Sequence, residues 1–145
     1  MSHSIIESIT DTSAKGIDLY KPITPVQLAA LIRSGWRCLS PDTPEQLHFY
    51  PKLHRVYAES LARQWHAVEH SAGFVVRFTV PQEFIAGFEL QTVGYDEHLE
   101  YKVPIAELTQ LNSVIVGSVE LLSAFTCEDN LLWQKLAARD CVGFH

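Results

Sequence analysis

Apolar and polar residues alternate along residues 98–103. A period of two is typical of a strand that rests one face on the core. The predicted core face carries Leu99, Tyr101 and Val103, and the opposite face carries His98, Glu100 and Lys102. The strand therefore gathers three titratable side chains, either on a solvated edge or on the rim of a site.

Similar patterns predict the other elements. Strands are expected at residues 17–22, 36–39, 48–50, 74–80, 88–93 and 114–122, and the last is placed centrally because it is apolar and β-branched almost throughout. Helices are expected at residues 25–34, 53–66, 105–111 and 129–139, with a single helical turn at 81–84. This order predicts an α+β domain with a mostly antiparallel sheet, two main helices in the first half and a C-terminal helix.

The first two helices carry the clearest boundary signals. Thr24 is a good N-cap, Gln27 completes a T-x-x-Q capping box, and Gly35 ends the first helix. The buried stripe of this helix is expected to contain Val26, Leu28, Leu31 and Ile32. The second helix is expected to bury Leu53, Val56, Tyr57, Ser60, Leu61, Gln64 and Trp65, and to break at residues 71–73.

Length and composition restrict the class of protein. The 145 residues suffice for one domain with a real core, and 47% apolar against 19% charged residues is typical of a globular protein. The formal charge of −6 argues against a nucleic-acid partner. No apolar run approaches the roughly 20 residues of a membrane span, and the first residues are not expected to be a signal peptide because they have neither a basic start nor a long apolar stretch. Three cysteines without metal-like spacing are expected as reduced thiols in a cytoplasmic protein.

Several short motifs are shared with one family. They include Leu19-Tyr20-Lys21-Pro22, Phe49-Tyr50-Pro51, Gln91-Thr92-Val93-Gly94 and His98-Leu99-Glu100-Tyr101, with further segments at residues 34–36, 73–78, 103–108 and 112–120. In these motifs the chain resembles small bacterial proteins labelled "ADP-ribosylation/crystallin". The resemblance covers about residues 19–125. We therefore expect a flexible arm at residues 1–16, a domain at 17–125 and a helical extension at 126–145.

The layout also resembles the ADP-ribosyltransferase fold, which carries its site on three separated strands. This resemblance implies that Lys21, with Tyr20 beside it, and Tyr50 bind NAD as a substrate, and that Glu100 and His98 are catalytic. A carboxylate is suited to this reaction because cleavage of the nicotinamide–ribose bond builds positive charge on the ribose. Lys21 stands where the family has Arg or His, so the planar phosphate-binding fork is lost. His98 stands where arginine-modifying transferases have Gln or Glu, which implies an acceptor other than arginine.

Two other functions stay open. The first is a non-catalytic binding or regulatory module that keeps the fold and uses its groove for a nucleotide or a protein partner. The second is a metal-dependent hydrolase, since His66-Ala67-Val68-Glu69-His70 matches the H-x-x-E-H zinc motif. The motif lies at a predicted helix end and has no obvious third ligand, so we expect no metal site. A solvated Glu100, paired with Lys102 or Lys21, is the alternative to a catalytic one.

Overall fold

The computed structural model describes residues 15–94 and 98–127. Its strands are β1 (Gly16–Ile23), β2 (His48–Phe49), β3 (Ala72–Pro81), β4 (Glu89–Thr92), β5 (Leu99–Pro104) and β6 (Glu120–Thr126). Its helices are α1 (Pro25–Arg33), α2 (55–70), α3 (Gln82–Ile85) and α4 (Leu108–Ser113), the last preceded by the 3₁₀ turn Ile105–Glu107. The predicted arm, up to residue 14, and the predicted helix at 129–139 lie outside the described residues. None of the described helices has the length and apolar character needed to cross a membrane.

The strands form two three-stranded sheets. One has the order β1-β3-β6 and the other the order β2-β5-β4, and every pairing in them is antiparallel. The prediction of an α+β fold with antiparallel sheets is confirmed, and the two longest helices, α1 and α2, both lie in the first half of the chain.

A single residue between β2 and α2 connects the two sheets. Lys52 forms isolated antiparallel bridges to Tyr20 of β1 and to Glu100 of β5. On one side Lys52 exchanges two backbone hydrogen bonds with Tyr20, of 2.7 and 2.8 Å. On the other side its neighbours Pro51 and Leu53 bond to β5. Because paired residues in a ladder project to the same face, the side chains of Tyr20, Lys52 and Glu100 lie together.

Helix α1 begins and ends as predicted. Both hydrogen bonds of the capping box between Thr24 and Gln27 are present, and Gly35 adopts φ 76° directly after the C-cap. The predicted buried stripe is wrong in part, because Val26 and Ile32 are exposed while Gln27 and Leu31 are buried. Gln27 is turned inward by its capping bond and by its side-chain contacts with residues 40 and 42.

Helix α2 buries Tyr57 as predicted, but its other buried residues are small rather than the predicted large ones. Val56 and Trp65 are exposed, whereas Ala58, Ala62 and Ala67 have no accessible surface. The helix runs through Arg55–Leu61, a π-helical segment Ala62–His66 and Ala67–His70. The π-helical segment adds a residue to the turn and shifts the buried face, which a regular period of 3.6 does not anticipate.

Two predicted strands are wrong. Residues 36–39 form no strand; instead the side chain of Asn112 bonds both backbone groups of Leu39. The predicted central strand at 114–122 begins only at Glu120, and β6 lies at the edge of its sheet. Its apolar first half packs on the core as an irregular segment around Gly117, whose φ is 75°.

The main core lies between the sheets, α1 and α4. It is built from Leu19, Ile23, Leu31, Leu39, Phe49, Val76, Phe78, Val80, Ile85, Tyr101, Val103, Leu108, Leu111 and Val119. A smaller cluster of Ala58, Ala62 and Val75 lies under α2, with Tyr20 packed against it. Since Tyr101 and Val103 belong to this core, the predicted core face of β5 is confirmed at these two positions.

The close approach of α2 to β3 depends on Gly73. A Cβ atom at Gly73 would overlap the carbonyl oxygen of Ala62 and lie 2.8 Å from the Cβ of His66. We expect Gly73→Ala to lower the free energy of unfolding by about 2–3 kcal/mol, because backbone must move to admit the methyl group. Gly87→Ala is the matched control, since its Cβ would meet the Phe84 carbonyl at an ordinary 3.6 Å. Equal urea midpoints for the two variants would contradict this account.

Candidate functional site

A buried ion pair lies at the junction of the two sheets. The ammonium of Lys52 is 2.7 Å from Oε1 of Glu100, and both side chains are only 8% exposed. Glu100 Oε2 accepts a hydrogen bond of 2.8 Å from Gln91, and the Tyr57 hydroxyl lies 3.4 Å from Oε1. The Glu100 carboxylate is therefore buried on all sides by protein partners. The alternative interpretation, a solvated Glu100 on an open strand face, is wrong because Lys52 and Tyr57 cover that face.

A pocket of about 270 Å³ opens beside this pair. Four chain segments build it: β1, the loop after α1, the connection before α2, and the second half of α2. Its lining residues are Lys21, Pro22, Asp42, Lys52, Leu61, Trp65 and His66. Lys52 is the member of the pocket wall that also contacts Glu100.

Asp42 neutralises Lys21 within the pocket wall. The Lys21 ammonium donates a hydrogen bond of 2.8 Å to Asp42 Oδ1, and Gln27 and Gln46 donate to the same carboxylate over 2.9 Å each. Burial opposes ionisation of Asp42, but the charge of Lys21 and these hydrogen bonds lower its pKa to about 2. The Asp42 carboxyl thus stays ionised over the physiological pH range.

The Lys52 ammonium lies near two aromatic rings as well as near charged side chains. Its ammonium is 5.6 Å from the ring centroid of Tyr50 and 5.5 Å from that of Tyr57. Burial and the positive charge of Lys21 lower the pKa of Lys52 to about 8, although Glu100 favours the charged form. Burial and the Glu100 carboxylate raise the pKa of Tyr57 to about 12. Lys52 is therefore the group in this cluster whose charge changes just above neutral pH.

His66 adds an imidazole to the pocket wall. Burial and the nearby Lys21 lower the pKa of His66, which favours the neutral ring. Its Nδ1 atom is buried without a hydrogen-bond partner in the described residues. The ring lies 5.9 Å from that of His70. No group of three or more potential metal ligands comes together in the part of the chain that the structure describes.

The predicted site residues converge only in part. Tyr50 and Glu100 both lie beside Lys52, and Lys21 shares the pocket with Lys52. His98 lies one layer further out, where its ring stacks on Tyr57 at 4.4 Å. Tyr20 packs against the small cluster under α2. The sequence did not indicate Lys52 and Asp42, which pair with the predicted site residues Glu100 and Lys21. The one available signal was that Lys52 follows Tyr50 by two residues and so shares its face.

A second, larger cavity lies away from these charges. It measures about 510 Å³ and is lined by Arg37, Cys38, Thr109, Asn112, Ser113, Ile115 and Gly117. Its lining residues include none of the predicted site residues and none of the buried ion pairs. The two lysine ion pairs, by contrast, lie at the smaller pocket.

Three comparisons of this chain with known proteins found no match. No family model, no curated protein and no solved structure matches this chain. The resemblance noted in the sequence therefore stays a prediction.

The Lys21–Asp42 pair predicts a specific acid sensitivity. Because the pKa of Asp42 falls from 3.8 to about 2 on folding, the pair stabilises the fold above pH 4 and this contribution is lost as the pH falls toward 2. We expect about 2 kcal/mol of the free energy of unfolding to disappear over that window. Asp42→Asn should flatten the decline measured by urea unfolding, whereas Glu45→Gln, an exposed carboxylate of the same loop, should not. An unchanged decline in Asp42→Asn would refute the assignment.

Proposed function

We propose that this protein is an ADP-ribosyltransferase-like binding module that holds an anionic nucleotide, with NAD as the candidate, without transferring ADP-ribose. One observation carries the proposal: two lysine ammonium groups and an imidazole, from three separate parts of the chain, line one pocket of about 270 Å³ together with Asp42, the partner of Lys21. Groups with perturbed pKa values in a concave site are typical of ligand binding.

Electrostatics supports an anion in this pocket. The positive charge of Lys21 lowers the pKa of Lys52, so the two ammonium groups repel each other across the pocket wall. A phosphate placed near both would relieve that repulsion and accept hydrogen bonds from each. The imidazole of His66 lies in the same pocket wall. Phosphate binding should therefore favour the charged form of Lys52.

The dimensions of the pocket suit one part of a dinucleotide. Drug-sized ligands fill pockets of about 300–1,000 Å³, so 270 Å³ accommodates a phosphate and its ribose rather than a whole dinucleotide. The indole of Trp65 is 56% exposed and lines the same pocket. An exposed aromatic ring beside a phosphate site is suited to stacking on a base.

The environment of Glu100 favours binding over catalysis. A transferase needs this carboxylate against the ribose, but here Lys52, Gln91 and Tyr57 occupy it. NAD-dependent transfer to an acceptor other than arginine is the second candidate. It is favoured by the position of Lys52, which reaches both Glu100 and the pocket. A ligand phosphate that draws Lys52 away from Glu100 would free the carboxylate.

Calorimetric titration tests the binding proposal. We expect NAD and ADP-ribose to bind, and Trp65→Ala to weaken both about tenfold or more, because the loss of base stacking costs about 1–3 kcal/mol. Val68→Ala is the matched control, since Val68 is also half exposed and lies on the same helix. Absence of binding at millimolar NAD and ADP-ribose, or equal weakening by both variants, would refute the proposal.

Nicotinamide release separates the two candidate functions. For a binding module, we expect the wild-type protein to release no more nicotinamide from NAD than Glu100→Gln does. Glu89→Gln, an exposed carboxylate on β4, controls for the loss of one charge. Release by the wild type and by Glu89→Gln, abolished in a folded Glu100→Gln, would establish the transferase instead.

A further inference from the structure

Lys52 combines burial, a neighbouring cation and access to a pocket. We propose that Lys52 is a nucleophilic amine that forms a Schiff base with a small aldehyde or ketone carrying an anionic group. The geometry behind this inference is the Lys52 side chain in the wall of the 270 Å³ pocket, with Lys21 in the same wall and Glu100 at 2.7 Å. This inference does not depend on the nucleotide proposed above.

The surroundings of Lys52 keep a fraction of its amine neutral near physiological pH. The charged and titratable groups that act on it are Lys21, Asp42 and Glu100, with Tyr57 beside Glu100. Burial and Lys21 together outweigh the two carboxylates and bring the pKa of Lys52 to about 8. An ordinary exposed lysine titrates near 10.4 and stays almost fully protonated at neutral pH. A lysine desolvated beside a second cation is a recognised way to activate an amine.

Glu100 is positioned to move the protons of the reaction. The neutral Nζ attacks the carbonyl carbon and forms a C–N bond, while the π electrons of the C=O bond move to oxygen. Glu100 Oε1, hydrogen-bonded to Nζ, takes a proton from nitrogen and returns it to that oxygen, which gives a carbinolamine. Loss of water then breaks the C–O bond and leaves an imine. The amine and the carbonyl compound are thus converted to an imine and one water, with no change in oxidation state.

The pocket also selects the kind of carbonyl compound. A carboxylate or phosphate on the substrate would compete with Asp42 Oδ1 for the Lys21 ammonium, while the imine nitrogen stays beside Glu100. The volume of about 270 Å³ restricts the substrate to a small molecule. We therefore expect glyoxylate, an aldehyde with a carboxylate, to react faster than the neutral acetaldehyde.

Reductive trapping tests this inference. The full chain is incubated with glyoxylate and cyanoborohydride at pH 7.5, and the modified lysines are identified by peptide mass spectrometry. We expect Lys52 to be modified at least about tenfold faster than the exposed Lys15, because a larger fraction of its amine is neutral. Lys102 on β5 is a second internal reference. Lys52→Arg keeps the positive charge beside Glu100 and should abolish the fast phase.

Each outcome decides the inference. The inference would be overturned if Lys52 were modified no faster than Lys15 and Lys102. It would also be overturned if Lys21 were modified preferentially, or if the fast phase were unchanged in Lys52→Arg. A rate for acetaldehyde equal to that for glyoxylate would overturn the assignment of an anionic substrate. Should Lys52→Arg fail to fold, the peptide map of the wild-type protein alone decides. The reaction mixture contains no nucleotide, so failure of NAD binding leaves this result unaffected.

Discussion

The buried ammonium of Lys52 is the constraint on which the site depends. Backbone bridges to Tyr20 and Glu100 hold this residue between the two sheets, and its side chain is only 8% exposed. A buried charge requires a partner, since leaving it unpaired costs several kcal/mol. Glu100 supplies the partner, and Gln91 and Tyr57 bond the remaining carboxylate positions. The same bridges that join the sheets therefore determine where the titratable groups of the domain gather.

A second, partly buried ion pair, Lys21–Asp42, lies in the same pocket wall as Lys52. Lys21 lies on β1, adjacent to the bridged Tyr20, and its ammonium is neutralised by Asp42 from the loop after α1. Replacing such pairs by apolar residues is often neutral or stabilising, so two of them beside one cavity are poorly explained by stability alone. The proposed ligand binding and the proposed activated amine both use the repulsion between the neighbouring ammonium groups of Lys21 and Lys52.

The packing of α2 completes the pocket. Gly73 and the alanines of α2 let the helix approach β3 closely, and the π-helical segment lies at the point of contact. This segment contains both Trp65 and His66, which line the pocket. π-helical insertions are frequent at functional sites because they redirect side chains without ending the helix. Here the insertion occurs where the wall of the pocket is formed.

The sequence by itself determined the elements whose signals are local. The capping box of Thr24 and Gln27 determined the start of α1, and the alternation of residues 98–103 indicated the inward face of β5. The sequence pattern predicted neither the burial of Glu100 nor the ion pairs that Lys52 and Asp42 form. Only the tertiary structure decided these, because the partners of the two ion pairs, Lys21–Asp42 and Lys52–Glu100, lie 21 and 48 positions apart along the chain. A strand's period shows which side chains share a face, whereas the layer that covers this face comes from distant segments.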